Sequence, residues 1–196
     1  MTQETRGGRP RNEQIDQAIL KAAIDLVLEI GFRAVTIEAI AARTGVGKTT
    51  IYRRWPNKAI VIMEAFMQRV GSETLFPLAA KATESIRLQM RAMARVFRGK
   101  DGALVKALVS EAQVCPEFAP IFRERWTLPR RKLALGVLKE AVRRGELRPD
   151  LDLEATIDLL YAPLYYRLQM DTGPLTDAYI DRIFESTMNG LKAPEN

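Results

Sequence analysis

The sequence predicts an all-α protein in which a three-helix head precedes a larger helical C-terminal domain. Apolar residues recur every three or four positions in one segment after another. Good helix N-caps precede several of these segments, glycine or proline follows several, and no run alternates as a β-strand would. A chain of 196 residues that is 47% hydrophobic and 28% charged is globular in composition and long enough for one medium domain or two small ones.

The first predicted helix runs from about residue 13 to residue 30. Asn12 is a good N-cap, and Gly31 supplies a left-handed stop. Before this helix, residues 1–11 combine Gly, Pro and Arg without periodicity and predict a flexible basic arm. The apolar stripe of the helix consists of Ile15, Ala18, Ile19, Ala22, Leu26 and Ile30.

Residues 36–58 predict a helix-turn-helix. Ala41 is small where the second helix of the motif must cross the first, Gly45 suits the turn, and Ile51 anchors the second helix. No acidic residue occurs in residues 43–58, so this second helix is basic. A small, polar and positively charged helix on an apolar support can enter the major groove of DNA.

Beyond Pro56 the apolar spacing predicts helices almost to the end of the chain. Pro129 should kink or divide one of them. A row of arginines, Arg87, Arg91, Arg95 and Arg98, is expected to be a solvated helix face, with an acidic ligand or partner as the alternative. The predicted helices span residues 58–70, 78–98, 103–113, 117–144, 153–170 and 175–191.

Positive charge is concentrated in the N-terminal part of the chain. Residues 1–58 contain ten Lys and Arg against six Asp and Glu, whereas residues 71–196 contain nineteen against seventeen. A basic head on a nearly neutral body is typical of a protein that binds a polyanion such as DNA.

The composition disfavours several classes of function. The chain has no histidine and one cysteine, Cys115, so it lacks the commonest general base and the usual zinc ligands. We therefore expect neither an enzyme nor a metal or other cofactor. No apolar run approaches the ~18 residues that span a membrane, and no leader peptide is apparent. From the lack of such a run we expect no membrane partner. The lone cysteine cannot form an internal disulfide, which predicts a cytoplasmic protein.

Two stretches of the chain carry motifs that can be compared with a known family. They are Gly31-Phe32, Thr36-Ile37, Ile40-Ala41, Gly45-Val46 and residues 50–58 in the head, and residues 143–150 and 162–167 in the second half. Together they resemble the TetR/AcrR family of transcriptional regulators. The resemblance implies homodimers that bind pseudo-palindromic operators, usually as repressors, and that in many cases release DNA when a small ligand binds. The chain then divides into the arm over 1–11, a DNA-binding domain over 12–70 and a ligand-binding and dimerisation domain over 71–196.

The resemblance also implies which residues contact double-stranded DNA. Thr36 would meet a phosphate, Lys48 a guanine edge, and the Thr49 methyl a thymine methyl. Lys58 would complete a clamp on the backbone, and Tyr52 either contacts a base or braces the head. The residues so implied are Thr36, Gly47, Lys48, Thr49, Thr50, Tyr52, Arg53, Arg54 and Lys58. Arg9 and Arg11 of the arm are further candidates, because basic arms beside such motifs can reach into a minor groove or across a phosphate, and the alternative is a solvated tail.

The last two predicted helices each carry an apolar stripe. Two such helices from each subunit would form a four-helix interface in a homodimer, which the resemblance also implies. The alternative is that these stripes only close the core of the monomer. The expected interface residues are Ile157, Leu160, Leu164 and Leu168 in one helix and Ile180, Ile183, Phe184, Thr187 and Leu191 in the other.

Methionine and aromatic residues are candidates for a pocket that accepts a small apolar ligand. Flexible methionine side chains suit pockets of varied shape. The alternative is that these residues are ordinary core. The candidates are Met63, Phe66, Met67, Met90, Met93, Phe97, Phe118, Phe122, Trp126, Tyr161 and Tyr165.

The sequence favours a homodimeric repressor released by a small molecule, but three alternatives stay open. The first is a regulator without an inducer, or an activator. The second is a helical interaction module whose basic head binds an acidic protein. The third is an enzyme that uses carboxylates such as Glu111, Asp158 or Glu185, although no paired-carboxylate spacing supports it.

Overall fold

The computed structural model describes residues 9–191, with side chains from residue 13 onward. This part of the chain is predominantly helical and contains no β-strand, which confirms the all-α prediction. None of the described helices is long and apolar enough to cross a lipid bilayer. The α-helices are α1 (Arg9–Ala34), α2 (Ile37–Thr44), α3 (Lys48–Tyr52), α4 (Lys58–Val70), α5 (Ala82–Arg98), α6 (Gly102–Val114), α7 (Phe118–Phe122), α8 (Leu128–Arg143), α9 (Leu153–Met170) and α10 (Asp177–Leu191).

The helices are distributed over two compact units. The first unit ends at Arg69, and the second begins at Val70, which is the last residue of α4. Helices α1 to α3 and nearly all of α4 therefore build the first unit, and α5 to α10 build the second.

Helix α1 begins earlier than predicted. It starts at Arg9, so residues 9–11 of the expected flexible arm are helical. Residues 1–8 and the side chains of Arg9 and Arg11 lie outside the described residues, and the DNA contacts expected of these arginines stay a prediction. The stop at Gly31 is confirmed, because Gly31 adopts φ +79° and interrupts the helical geometry before a last turn.

The helix-turn-helix follows the predicted local pattern. Thr36 caps α2, since its Oγ1 accepts a hydrogen bond from the Ala39 amide at 3.0 Å. Gly45 ends α2 in the left-handed conformation with φ +69°. Ile40 of α2 and Ile51 of α3 are both fully buried, and the two helices are in contact. Local capping and a small apolar core thus fix the angle at which α3 leaves the turn.

Helix α5 lies at the centre of the second unit, where it packs against α6, α8, α9 and α10. Its apolar face, which includes Met90, is buried. The arginine row on its other face is not simply solvated, as the sequence suggested. Arg91 pairs with Asp181 of α10, and Arg98 Nη1 lies 2.7 Å from Asp177 Oδ1 of the same helix. These ion pairs join the polar face of α5 to α10.

Helices α7 and α8 are joined by a π-helical turn at Arg123–Thr127 and not by a break. The Leu128 amide donates to the Arg123 carbonyl five residues earlier. Pro129, which has no amide hydrogen, follows in the first turn of α8. The chain therefore stays helical across the proline that was expected to kink or divide it, and a widened turn precedes that proline.

The carboxylate of Glu146 caps the N-terminus of α5 from a distant part of the chain. It accepts hydrogen bonds from the Ala82 amide at 3.0 Å, the Thr83 amide at 2.9 Å and the Thr83 hydroxyl at 2.7 Å. Burial raises the pKa of Glu146, but the hydrogen bonds to its charged form outweigh burial, and the net pKa is lowered. Because Lys81 at the N-cap position provides no side-chain cap, Glu146 replaces it.

Replacing Glu146 with alanine should lower the free energy of unfolding by ~1–2 kcal/mol at neutral pH, because the first amides of α5 lose their acceptor. The folded-state pKa of Glu146 is lowered, so its contribution is present above the unfolded pKa of about 4.3 and is lost as the pH falls through the folded value. Urea denaturation followed by circular dichroism should therefore show the variant and wild type converging in acid. The exposed Glu124→Ala is the control, and equal losses in both variants would contradict the capping role.

Candidate DNA interface and ligand cavity

Helix α3 has one buried side and one open side. Ile51 is fully buried against the head, whereas the residues predicted to face DNA point away from it to different degrees. An open polar side on a short, firmly seated helix is the geometry that groove binding needs. Thr36, Gly47, Lys48, Thr49, Tyr52 and Arg53 are exposed, and Thr50, Arg54 and Lys58 are partly buried.

Two arginines of the motif are tied to α1 by ion pairs. Arg54 pairs with Asp16, and the Arg54 side chain is only 16% exposed. Arg43 makes two hydrogen bonds to Glu29, at 2.8 and 2.7 Å. Arg54 was predicted to contact DNA, yet in this geometry its ion pair connects the segment after α3 to α1. Its DNA contact stays a prediction.

Lys58 has partners that differ from the expected phosphate. Its Nζ donates to the carbonyls of Phe32 at 3.0 Å, Arg33 at 2.8 Å and Val35 at 2.8 Å. The same ammonium lies 5.1 Å from the centroid of the Phe32 ring. An ammonium group has three protons, and these three carbonyls can accept all of them. Lys58 therefore caps the turn that ends α1, and this geometry does not support the phosphate clamp predicted for it.

Lys48 of α3 and Arg53, which directly follows α3, are cations that remain available to a ligand. Lys48 Nζ lies 3.4 Å from Glu38 Oε1, and both side chains are more than half exposed. A hydrogen bond from its own backbone amide and then the Lys48 ammonium lower the pKa of Glu38. Such an exposed pair contributes little, so DNA can replace Glu38 at small cost. The Arg53 side chain has no hydrogen-bond or ion-pair partner within residues 13–191.

The second unit contains a cavity of about 250 Å³. It lies between α5, α8 and α9, and most of its wall is apolar. Pockets of this kind, with a few polar groups in an apolar wall, are typical small-molecule sites. The residues that line it are Phe76, Gln89, Met93, Thr127, Arg130, Arg131, Ala134, Ile157, Asp158, Tyr161, Ala162 and Tyr165.

The structure brings Met93, Tyr161 and Tyr165 of the predicted pocket residues together at this cavity. The ring of Phe97 packs edge-on against Tyr165, with centroids 5.2 Å apart, so Phe97 supports the wall from behind. Phe97, Met90, Phe118, Phe122 and Trp126 are buried in the second unit but are not lining residues, and Met63, Phe66 and Met67 belong to the first unit.

Sequence reasoning missed the polar residues of the cavity. Gln89 is buried in the apolar face of α5, where it accepts from the Tyr161 hydroxyl at 2.7 Å and donates to the Thr74 carbonyl at 3.0 Å. Arg130 lies over the Trp126 ring, 3.2 Å from its centroid. The four-residue spacing of Trp126 and Arg130 was the available signal, because a helix places such residues on one face. Burial lowers the pKa of Arg130 to about 10 and raises that of Tyr161.

Most residues predicted to form a dimer interface are core residues of the second unit. This is the alternative interpretation of the two apolar stripes, and it leaves the opposite faces of α9 and α10 open. Leu159, Tyr166 and Met170 of α9 are more than half exposed. Leu159 and Tyr166 share a shallow groove with Ile183 of α10. The buried residues are Ile157, Leu160, Leu164, Leu168, Ile180, Phe184 and Leu191, whereas Ile183 and Thr187 are partly exposed.

Two family models match the chain, one in each unit. Residues 19–64 match the model described as bacterial regulatory proteins, tetR family. Residues 81–187 match the model described as tetracyclin repressor-like, C-terminal domain. The first match contains the helix-turn-helix, and the second contains the residues that line the cavity from Gln89 to Tyr165.

Individual proteins are similar over almost the whole chain. The HTH-type transcriptional regulator YdeS of Bacillus subtilis is 37% identical over 190 residues, which cover 97% of this chain and 96% of YdeS. The DNA-binding transcriptional repressor TetR of Mycobacteroides abscessus is 30% identical over 186 residues, 94% of this chain and 97% of that protein. The structure of FadR from Bacillus subtilis in complex with stearoyl-CoA superposes with a TM-score of 0.73 at 20% identity, covering 88% and 97% of the two chains, which indicates a shared fold.

Replacing Lys58 with methionine should destabilise the first unit, because three carbonyls at the end of α1 lose a charged donor. Hydrogen bonds to charged groups contribute ~1.5–3 kcal/mol, so a loss in that range is expected in thermal denaturation, with faster hydrogen exchange at the end of α1. Arg53→Met, which removes an exposed cation, is the matched control and should leave the denaturation midpoint in place. If the Lys58→Met protein is as stable as wild type and has lost only DNA affinity, the result would support the predicted phosphate contact of Lys58 instead.

Proposed function

Since the chain belongs to the TetR family of bacterial regulatory proteins and is a DNA-binding transcriptional regulator, we propose that it acts as a homodimeric repressor in the cytoplasm. Each α3 enters the major groove at one half of a pseudo-palindromic operator. A small molecule in the cavity of the second unit releases the DNA. The protein acts by binding and not by catalysis.

The observation that carries the proposal is the open polar side of α3. Lys48, Thr49, Tyr52 and Arg53 are exposed on a helix whose other side is anchored by the buried Ile51. Lys48 can reach a guanine edge once it leaves Glu38, and the Arg53 charge has no competing partner among the side chains of residues 13–191. These side chains combine base contacts with phosphate contacts, as sequence-selective binding requires.

Two further observations support repression with release by an effector. A relative from Mycobacteroides abscessus that covers nearly the whole chain is named a DNA-binding transcriptional repressor. A structural neighbour, FadR of Bacillus subtilis, is described in complex with stearoyl-CoA, so a protein of this fold binds a small molecule. The cavity between α5, α8 and α9 is the candidate effector site in this chain.

We place the dimer interface on the outer faces of α9 and α10. Leu159 and Tyr166 form an exposed apolar strip along α9, next to the partly exposed Ile183. On α10, Ser186 and Gly190 are small and exposed, which permits close approach of a second helix. A homodimer supplies two α3 helices, one for each half-site of an operator whose half-sites are separated by ~34–36 Å.

Substituting Leu159 with glutamate should convert the dimer to a monomer, because two carboxylates would be buried at a twofold interface. Analytical ultracentrifugation measures the state, and circular dichroism checks that the helices remain. The matched control is Val114→Glu at the end of α6, a residue 58% exposed that is not part of the proposed interface. A Leu159→Glu protein that sediments with wild type would place the interface elsewhere.

Alanine at Lys48 and at Arg53 should affect DNA binding in different ways. Lys48→Ala should cost ~1–3 kcal/mol on the preferred base and relax the preference at that position. Arg53→Ala should weaken binding to all sequences and reduce the slope of log K against log salt by about one. Fluorescence anisotropy with an inverted repeat from the region upstream of the gene, and with single-base variants, measures both effects. A uniform loss in both variants would contradict the base contact of Lys48.

A further inference from the structure

We propose that the cavity of the second unit binds a small amphipathic molecule with one carboxylate, held by Arg130 and Tyr165. This inference rests on the proposed role of that cavity as the effector site. It adds the chemical class of the effector and the residues that recognise its charge.

Arg130 is a cation without an anionic partner. Its Nη2 donates to the Thr74 hydroxyl at 2.7 Å, and its guanidinium lies on the face of Trp126. Its Nε is buried and has no hydrogen-bond partner among the residues that the structure describes. No carboxylate within residues 13–191 forms an ion pair with it. A cation that lines a cavity and has no counter-ion within the described residues is a place for a ligand acceptor.

Arg131, the next residue, differs from Arg130 because it has carboxylate partners. Arg131 also lines the cavity, but it pairs with Asp158 and lies 2.6 Å from a carboxylate oxygen of Glu154. The charge of Asp158, another lining residue, is therefore balanced by Arg131. The two neighbouring cations differ in that one is neutralised by its own chain and the other is not. The guanidinium of Arg130 is consequently the lining cation that no carboxylate within residues 13–191 pairs with.

This charge persists at physiological pH. Burial lowers the pKa of Arg130 to about 10, which is still well above neutrality. A buried ion without a counter-ion is unfavourable, because the Coulomb attraction that offsets its lost hydration is missing. A bound anion would supply that attraction, and a carboxylate matches the planar fork of a guanidinium.

The hydroxyl group of Tyr165 is a second hydrogen-bond donor at the cavity, in addition to the Arg130 guanidinium. Its hydroxyl oxygen accepts from the Trp126 indole at 3.0 Å, but its own proton has no acceptor in the described part of the chain. Tyr161, by contrast, donates its proton to Gln89. Burial raises the pKa of Tyr165, so the phenol stays protonated. Arg130 and Tyr165 both contact Trp126 and both line the cavity, so we expect one bound carboxylate to contact both side chains.

The size of the cavity limits the rest of the ligand. An apolar cavity of about 150 Å³ holds benzene, so about 250 Å³ has room for one ring or a short chain with a carboxylate. Apolar side chains of Phe76, Met93, Ala134 and Ile157 would contact that apolar body. The cavity is too small to enclose an acyl-CoA, whose nucleotide alone exceeds this volume.

The experiment uses pairs of probes that differ only in charge. 3-Phenylpropanoate and octanoate are compared with 3-phenylpropanamide and octanamide by isothermal titration calorimetry on the full chain. Wild type should bind each acid at least tenfold more tightly than its amide, since a hydrogen-bonded charge is worth about that much. Arg130→Met should remove this preference and leave amide affinity within about twofold. Equal binding of acid and amide by wild type, or no binding of either acid, would overturn the proposal.

Three further variants separate recognition from folding. Arg143→Met removes an exposed cation of α8 and leaves Glu140 paired with Arg144, so the acid preference should persist. Tyr165→Phe should reduce acid affinity by about threefold to tenfold. If Arg130→Met does not fold, Arg130→Lys tests the proposal instead. Lysine keeps the positive charge but lacks the planar guanidinium, so this variant should retain only part of the preference for acid over amide. Loss of preference in Arg143→Met, or full retention in Arg130→Lys and Tyr165→Phe together, would contradict the assignment.

The same probes distinguish this inference from the proposed function. Operator DNA labelled with a fluorophore reports release by anisotropy, independently of calorimetry. Acids that bind through Arg130 but leave operator affinity unchanged would support the carboxylate site and contradict its role as the effector site. Acids that fail to bind a protein that still recognises its operator would overturn the carboxylate site alone.

Discussion

A five-residue helix cannot sustain itself in water, and this constraint governs the first unit. Helix α3 is only Lys48–Tyr52, far below the ~12–15 residues at which an isolated helix becomes even marginal. Its conformation must therefore come from its surroundings. Gly45 sets the turn before it, the buried Ile51 anchors it, and the buried Trp55 follows it with its indole bonded to Glu64 at 2.8 Å. The other helices of the first unit therefore hold these five residues in position.

Some cations of the motif make contacts within the first unit, whereas others lie on its exposed surface. Lys58 binds backbone carbonyls at the C-terminal end of α1, and Arg54 pairs with Asp16 in the N-terminal third of α1. Lys48 and Arg53 remain open or weakly paired. A positively charged segment is therefore not one uniform DNA-binding patch. Part of its charge positions the helix, and the other part stays exposed on the surface.

A similar division occurs in the second unit, where a row of buried aromatic residues supports the polar residues that line the cavity. Phe118, Phe122 and Trp126 follow one another at four-residue spacing, with neighbouring rings 5.8 and 6.3 Å apart. This row seats Trp126, and Trp126 in turn holds Arg130 and Tyr165. The π-helical turn places Trp126 within this row, and such turns are frequent at functional sites.

The sequence by itself determined the all-α class, the helix-turn-helix and its caps. Thr36, Gly31 and Gly45 act through contacts or backbone angles within a few residues, which a local pattern reveals. Only the tertiary structure decided which apolar face of α9 is core, because periodicity identifies a stripe such as Leu160 and Leu164 but not what covers it. The same holds for Lys58 and Arg130, whose partners at Phe32 and Thr74 are 26 and 56 residues away along the chain. Charges act through space, so their role depends on neighbours that only folding assembles.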